Sequence, residues 1–272
     1  MSVPILNLLT SGELTVLGRI STASNLTVAC DVSDGDTTMR CVYKPIRGEE
    51  PLWDFPEGTL AGREVASYLV SEALGWQLIP ETAMRPEGPA DVDLGPGMVQ
   101  RWIHEPESSD ETLDTVDVVP GNTVPAGYCG VLSAYDHRGD EVLLVHRDSD
   151  DLRRLAVLDA VLNNADRKGG HILTADDGRL YGIDHGICLH RENKLRTILW
   201  GWAGQRVPTA EAADLRRLAG ELDDDTSEIH QRLSELISGD EIAALSRRAK
   251  VLGDDGVMPL PPGNRAIPWP PF

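Results

Sequence analysis

Two aspartates, Asp166 and Asp184, are each set in a short segment framed by apolar runs. Residues 155–162 are apolar enough for a buried helix, and a polar loop, 163–170, follows directly. Beyond it, arms at 171–174 and 179–184 flank Ala175-Asp176-Asp177-Gly178, whose Asp-Gly pair signals a hairpin turn. The hairpin puts one carboxylate at each end, with His171 and His185 close by in sequence. Carboxylate oxygens suit a hard cation, and such an arrangement suits the holding of a metal and a phosphate. A metal-dependent hydrolase built from His146, Asp166, His171, Asp184 and His185 is one reading, but no H-E-x-x-H spacing is present.

The elements that must position these groups can be read along the chain. Strands are expected at 14–20, 26–30 and 39–44, with a Ser/Thr loop at 21–25 between the first two. That loop is either an ordinary turn or a flap whose backbone N–H groups and hydroxyls touch phosphate. Lys44 ends the third strand, where a solvated lysine is the simplest expectation. A helix begins near Leu60; Glu64, Val65, Tyr68, Leu69 and Leu74 follow its period, and Gly75 stops it. Glu64 is expected in its first turn, where a carboxylate favours the helix dipole. Residues 76–82 and 98–103 read as two more strands, completing a five-stranded lobe.

Residues 105–127 are acidic and punctuated by proline and glycine, which places a boundary near His104. A strand at 142–145 and a helix capped by Ser149 or Asp150 lead to Asn163. Amphipathic helices are expected at 209–222, 226–237 and 240–252, after the two tryptophans of the stretch 195–202. The six prolines after Gly253 predict an extended segment. The expected organisation is a β-rich lobe with one helix over 1–104, a second lobe over 105–252 and an extended segment over 253–272.

Composition narrows the function classes. A net charge of −19 on 272 residues repels nucleic acid and anionic lipid, so neither nucleic-acid binding nor stable membrane association is expected. Cys30, Cys41, Cys129 and Cys188 are scattered, without a C-x-x-C pair; no secretory apolar segment or membrane-spanning run is present, and a reduced, cytoplasmic protein is expected.

In order, the strand lysine Lys44, the helix glutamate Glu64, Asp166-Arg167 and Ile183-Asp184-His185-Gly186 resemble the atypical kinases related to phosphatidylinositol 3- and 4-kinases, and more closely their bacterial phosphatidylinositol kinase-like members. The family's catalytic loop reads D-R-H-x-x-N and its metal-binding segment I-D-F-G; here they read Asp166-Arg167-Lys168-Gly169-Gly170-His171 and Ile183-Asp184-His185-Gly186. The resemblance implies an α+β, two-lobed protein-kinase-like fold, with a small antiparallel β lobe and a mainly helical C-terminal lobe. It implies ATP and Mg2+ or Mn2+ as cofactors, and phosphoryl transfer to a hydroxyl of a protein or small molecule rather than a lipid.

Phosphoryl transfer needs positive charge on the phosphates, metal ions and a carboxylate to orient the attacking hydroxyl. In that scheme Lys44 binds phosphate and pairs with Glu64, Asp184 holds the metal, Asp166 orients the acceptor, and Arg167 structures the loop through a carboxylate or phosphate. Ser21, Ser24, Asn25 and Gln100 join Lys44 and Glu64 as the nucleotide-facing set. Gly169 and Gly170 would let the loop approach the nucleotide. His171 replaces the family's metal-binding Asn, and imidazole suits Mn2+ or Zn2+ better than Mg2+. The consequences left open are an altered metal, a ligand supplied instead by Asn163 or Asn164, or a catalytically inactive nucleotide-binding regulator. His185, in place of Phe, reads as a core-facing polar residue, a second ligand or a pH-sensitive group. Nucleotidyl (AMP) transfer from the same pocket is a further alternative.

Overall fold

A computed structural model of the chain describes residues 2–21, 25–106, 113–263 and 265–272. Its first part is a five-stranded sheet built from β1 (Glu13–Arg19), β2 (Val28–Ser33), β3 (Thr38–Pro45), β4 (Thr82–Arg85) and β5 (Gly97–Arg101). The order is β1-β2-β3-β5-β4 with antiparallel pairing throughout. Side chains alternate across a strand, so the sheet has two distinct faces. Cys30, Cys41, Tyr43 and Val99 pack a small core on one side, closed by Leu8 and Leu9 of helix α1 (Ser2–Ser11). On the other side Val42 pairs with Gln100 and Lys44 with Met98, so Lys44 and Gln100 share a face.

Helix α1 was not expected, because Pro4 reads as a helix breaker. It sits in the first turn, where no intrahelical N–H bond is lost. The strand expected at 76–82 also fails to form. Gln77 is left-handed (φ 53) and Pro80 cannot donate a ladder hydrogen bond, so pairing begins only at Thr82.

Helix α2 (Leu60–Ala73) starts on a cap from outside itself: Glu49 accepts from the N–H groups of Leu60 (3.1 Å) and Ala61 (2.9 Å). Gly75 ends it at φ +75, a conformation glycine adopts without a Cβ penalty. Although it joins two strands of the sheet, α2 buries Val65, Ala66, Tyr68, Leu69 and Val70 in the main core of the molecule. There it meets α3 (Asp150–Leu162), α4 (Thr209–Asp223), α5 (Glu228–Ser234) and α6 (Gly239–Asp254). Leu152, Leu155, Leu158 and Leu162 of α3 are fully buried, and truncation of one such leucine to alanine costs about 2–5 kcal/mol.

A three-stranded sheet of order β6-β8-β7 precedes α3: β6 (Val116–Pro120), β7 (Tyr128–Tyr135) and β8 (Glu141–Arg147). The stretch read as an irregular boundary therefore contains a strand. β6 is only half buried, so its alternation is weak, and β7 is mostly exposed. The expected hairpin is present as β9 (Ile172–Thr174) and β10 (Leu180–Gly182). An antiparallel sheet lobe joined to a mainly helical region makes this a two-lobed α+β fold.

Candidate active site

Three elements converge on one cluster of charge. Lys44 leaves β3 with its Nζ 2.6 Å from Glu64 Oε1 on α2 and 2.8 Å from Asp184 Oδ1 beyond β10. Glu64, expected in the first turn of its helix, is the fifth residue and points inward, 2 % exposed. Its second oxygen accepts from the His185 N–H at 2.8 Å. Burial alone would depress the Lys44 ammonium, but Asp184 and Glu64 raise it above its ordinary range. Lys44 in turn holds the Asp184 carboxyl well below the usual carboxylate range. The pair is thus fully ionised, which suits a cation that meets phosphate beside a carboxylate that meets metal.

Asp184 has φ +61, a left-handed conformation that Asp tolerates better than most residues. Both flanking peptides are clamped: Arg167 Nη1 donates to Ile183 O at 2.8 Å, and Glu64 takes the His185 N–H. Arg167 is completely buried. Its Nε donates to Asp159 Oδ2 (3.0 Å), Nη1 also reaches His171 O (3.1 Å), and Nη2 donates to His185 Nε2 (2.7 Å). Arg167 therefore touches no open space, and it acts as a positioning residue that ties the loop after α3 to the segment after β10. His185 is core-facing and fully buried; burial pushes its pKa well below the ordinary 6.5, and its Nε2 is taken by Arg167.

Asp166 is half-buried in the loop, with Lys168 Nζ 3.5 Å from its Oδ2, and burial pushes its carboxyl upward. Its backbone N–H donates to Asn164 Oδ1 at 2.9 Å, while the Asn164 amide donates to Asp159. Asn163, left-handed at φ 57, caps α3 and spends its amide on His190 O, Glu192 O and the Lys194 N–H. Neither asparagine is free to replace a metal ligand.

His171 lies beside Asp184. Its Nε2 lies 3.3 Å from Asp184 Oδ2, its Nδ1 is buried without a partner, and burial lowers its pKa to about 4. A neutral imidazole beside a half-exposed carboxylate could hold a divalent ion through an Asp184 oxygen and the His171 nitrogen. The wider histidine cluster is not assembled: His146 donates from Nδ1 to Arg147 O and accepts the Gly201 N–H at Nε2, against Trp202. Among the described residues no group of three or more His, Cys, Asp or Glu could hold a metal.

The remaining nucleotide-facing residues are less directly placed. Gln100 shares the Lys44 face, but its amide donates to Thr82 Oγ1 at 2.8 Å. Asn25 accepts the Glu50 N–H at 2.7 Å, and Ser21 is exposed at the end of the first hairpin. Ser24 lies outside the described residues. Gly169, expected to approach the nucleotide, is covered instead: a Cβ there would meet the Phe272 ring at 2.7 Å. Sequence reading missed Asp159, although an acidic residue inside the apolar run of α3 signalled a buried partner. It also missed Asp54 and Lys194, paired at 2.6 Å, which tie the loop before α2 to the segment beyond Asp184.

The family profile Phosphatidylinositol 3- and 4-kinase matches residues 149–237, which include Asp166, His171 and Asp184 but not Lys44 or Glu64. Protein Rv2133c of Mycobacterium tuberculosis (strain ATCC 25618 / H37Rv) is 52% identical over 269 residues, 97% of this chain and 94% of that protein. The chain belongs to the family of that protein, and the stretch 149–237 is what it shares with the phosphatidylinositol 3- and 4-kinase profile. The family's fold extends to distant solved structures. The Golgi casein kinase with Mn/ADP bound superposes with a TM-score of 0.55 at 14% identity, covering 95% of this chain and 78% of that one. Hydra Fam20 with sugar gives 0.54 at 14% identity, covering 93% and 90%. At such identity the likeness is one of fold.

Proposed function

We propose that the protein is an ATP-dependent phosphotransferase acting on a hydroxyl of a protein or small molecule. The observation that carries this reading is the Lys44 ammonium held between Glu64 and Asp184. Lys44 would bind phosphate oxygens, with Glu64 fixing its reach. Asp184 and His171 would hold a divalent ion, Mg2+ or Mn2+, which neutralises phosphate charge when bound. Asp166 orients the acceptor and takes its proton as the acceptor oxygen bonds to the γ-phosphorus and the bridging oxygen leaves with ADP. A nucleotide with a divalent metal is also what the Golgi casein kinase, alike in fold, carries.

Lipid is a poorer acceptor, because a net charge of −19 opposes docking on anionic bilayers. No described helix is long and apolar enough to cross a membrane, and all four cysteines are free, which supports a cytoplasmic setting. A second reading, a nucleotide-binding regulator without turnover, draws on His171 at the family's Asn position. Labelled ATP with Mg2+ or Mn2+ separates the two. Transfer or self-labelling that Asp166→Ala and Asp184→Ala abolish supports the enzyme, whereas tight ATP binding without any transfer establishes the regulator.

A further inference from the structure

The outer face of the loop carrying Asp166 and His171 is covered by residues 265–272. The cover is built in layers. Thr197 forms a parallel bridge with Arg167, whose N–H donates to Arg196 O (3.1 Å) and whose carbonyl accepts from the Ile198 N–H (3.2 Å). On the far side, the Thr197 N–H donates to Ala266 O at 3.1 Å, and Trp200 Nε1 donates to the same carbonyl at 2.9 Å. Ile267 then packs against the main core and Pro268 is buried.

The chain next crosses the loop itself. The Gly169 N–H donates to Pro271 O at 2.8 Å, and the Phe272 ring lies over Gly169. A Cβ on Gly169 would meet that ring at 2.7 and 2.8 Å, and Val116 Cγ1 at 3.3 Å. Glycine is needed at 169 for this close approach and not for an unusual φ, since Gly169 is absent from the positive-φ positions.

We infer that residues 265–272 form a positioning strap for the catalytic loop, in which the Pro271 carbonyl and the Phe272 ring set the backbone at Gly169, between Asp166 and His171. The strap stands on these contacts alone; its effect on transfer rests on the phosphotransferase reading. Ser, Thr or Ala at 169 would displace the ring, and loss of the ring would free the Gly169 amide to water. The loop would then sample positions in which Asp166 no longer faces the acceptor, which lowers turnover more than nucleotide affinity.

Hydrogen exchange of the full chain, with Phe272→Ala, Phe272→Tyr and removal of residues 269–272, tests the strap. The expected result is exchange about tenfold faster at 166–171 in Phe272→Ala and in the shortened chain, as for one lost loop hydrogen bond and its apolar cover, with α3 unchanged and Phe272→Tyr at the unsubstituted rate. Unchanged exchange at 166–171, or a uniform rise across the chain, overturns the proposal. If the shortened chain does not fold, Gly169→Ala, which pushes the ring away without removing it, must reproduce the Phe272→Ala pattern or the strap is refuted. ATP turnover is read on the same samples, with kcat falling severalfold and ATP Kd unchanged. Local deprotection in a protein whose unsubstituted form never turns over ATP upholds the strap and removes the phosphotransferase reading.

Discussion

Lys44 and Asp184 are 140 positions apart in sequence, yet Nζ and Oδ1 lie 2.8 Å apart. Glu64, at 2.6 Å, completes a three-residue charge cluster drawn from a strand, a helix and a loop. One ammonium between two carboxylates leaves the cluster net negative, a charge that an added cation, and not an anion alone, would offset.

Lys44→Met removes that cation. ATP affinity should fall about 10- to 100-fold, the worth of one hydrogen bond to a charged group, while the half-exposed Lys250→Met leaves it unchanged. Titration calorimetry on both variants decides; equal affinities would mean that Lys44 is a structural ion pair only.

Asp166→Asn should separate binding from chemistry. The amide keeps the loop's shape but cannot accept the acceptor proton, so transfer should fall by about 10²–10⁴ with ATP affinity retained. Parallel loss of affinity would show that Asp166 serves nucleotide binding instead.

Arg167→Ala tests positioning rather than catalysis. Its partner Asp159 is fully buried, and an unpaired buried charge costs about 3–5 kcal/mol. For a chain of this size that lowers Tm by roughly 10 °C. Arg167→Lys should recover little, because one ammonium cannot serve Asp159, two carbonyls and His185 together. Calorimetric melting measures both.

His171→Asn replaces an imidazole nitrogen with an amide oxygen beside Asp184. The ratio of Mg2+-supported to Mn2+-supported ATP turnover should rise, since Mg2+ favours oxygen donors. A ratio unchanged from the parent would remove His171 from the metal site, and failure to fold would assign it a structural role.

His146 supplies a pH dependence of stability away from that site. Burial lowers its pKa below the ordinary 6.5, with Asp148 opposing, and its Nε2 must stay unprotonated to accept the Gly201 N–H. Below 6.5 the unfolded chain binds a proton that the folded chain refuses. Its stabilising contribution is therefore complete above 6.5 and is lost as pH falls toward the depressed folded value. Urea midpoints at about pH 7.5 and about pH 5.5 should fall less in His146→Gln than in the parent. An equal fall in both would assign the effect to other groups.

Much of this was legible locally. Helical period placed α2 through α6, alternation and Asp-Gly placed the β9–β10 hairpin, and framed polar residues located Asp166 and Asp184. Weakly patterned strands were not legible: β7 is mostly exposed, so its alternation carried no signal. Helix α1 hid behind Pro4, whose cost vanishes in a first turn.

The sequence by itself determined the donor set: which carboxylates, lysine and histidines exist, in what order, and which lie on a helix or a strand, because periodicity and turn chemistry are local properties. Tertiary structure alone decided their direction. It turned Arg167 inward onto Asp159, spent Asn163 on backbone groups and Asn164 on Asp159 and the Asp166 N–H, laid Phe272 over Gly169 and brought Lys44 to Asp184. Each of these depends on how whole elements pack, a sum of many small contacts between residues distant in sequence, which no local pattern reports.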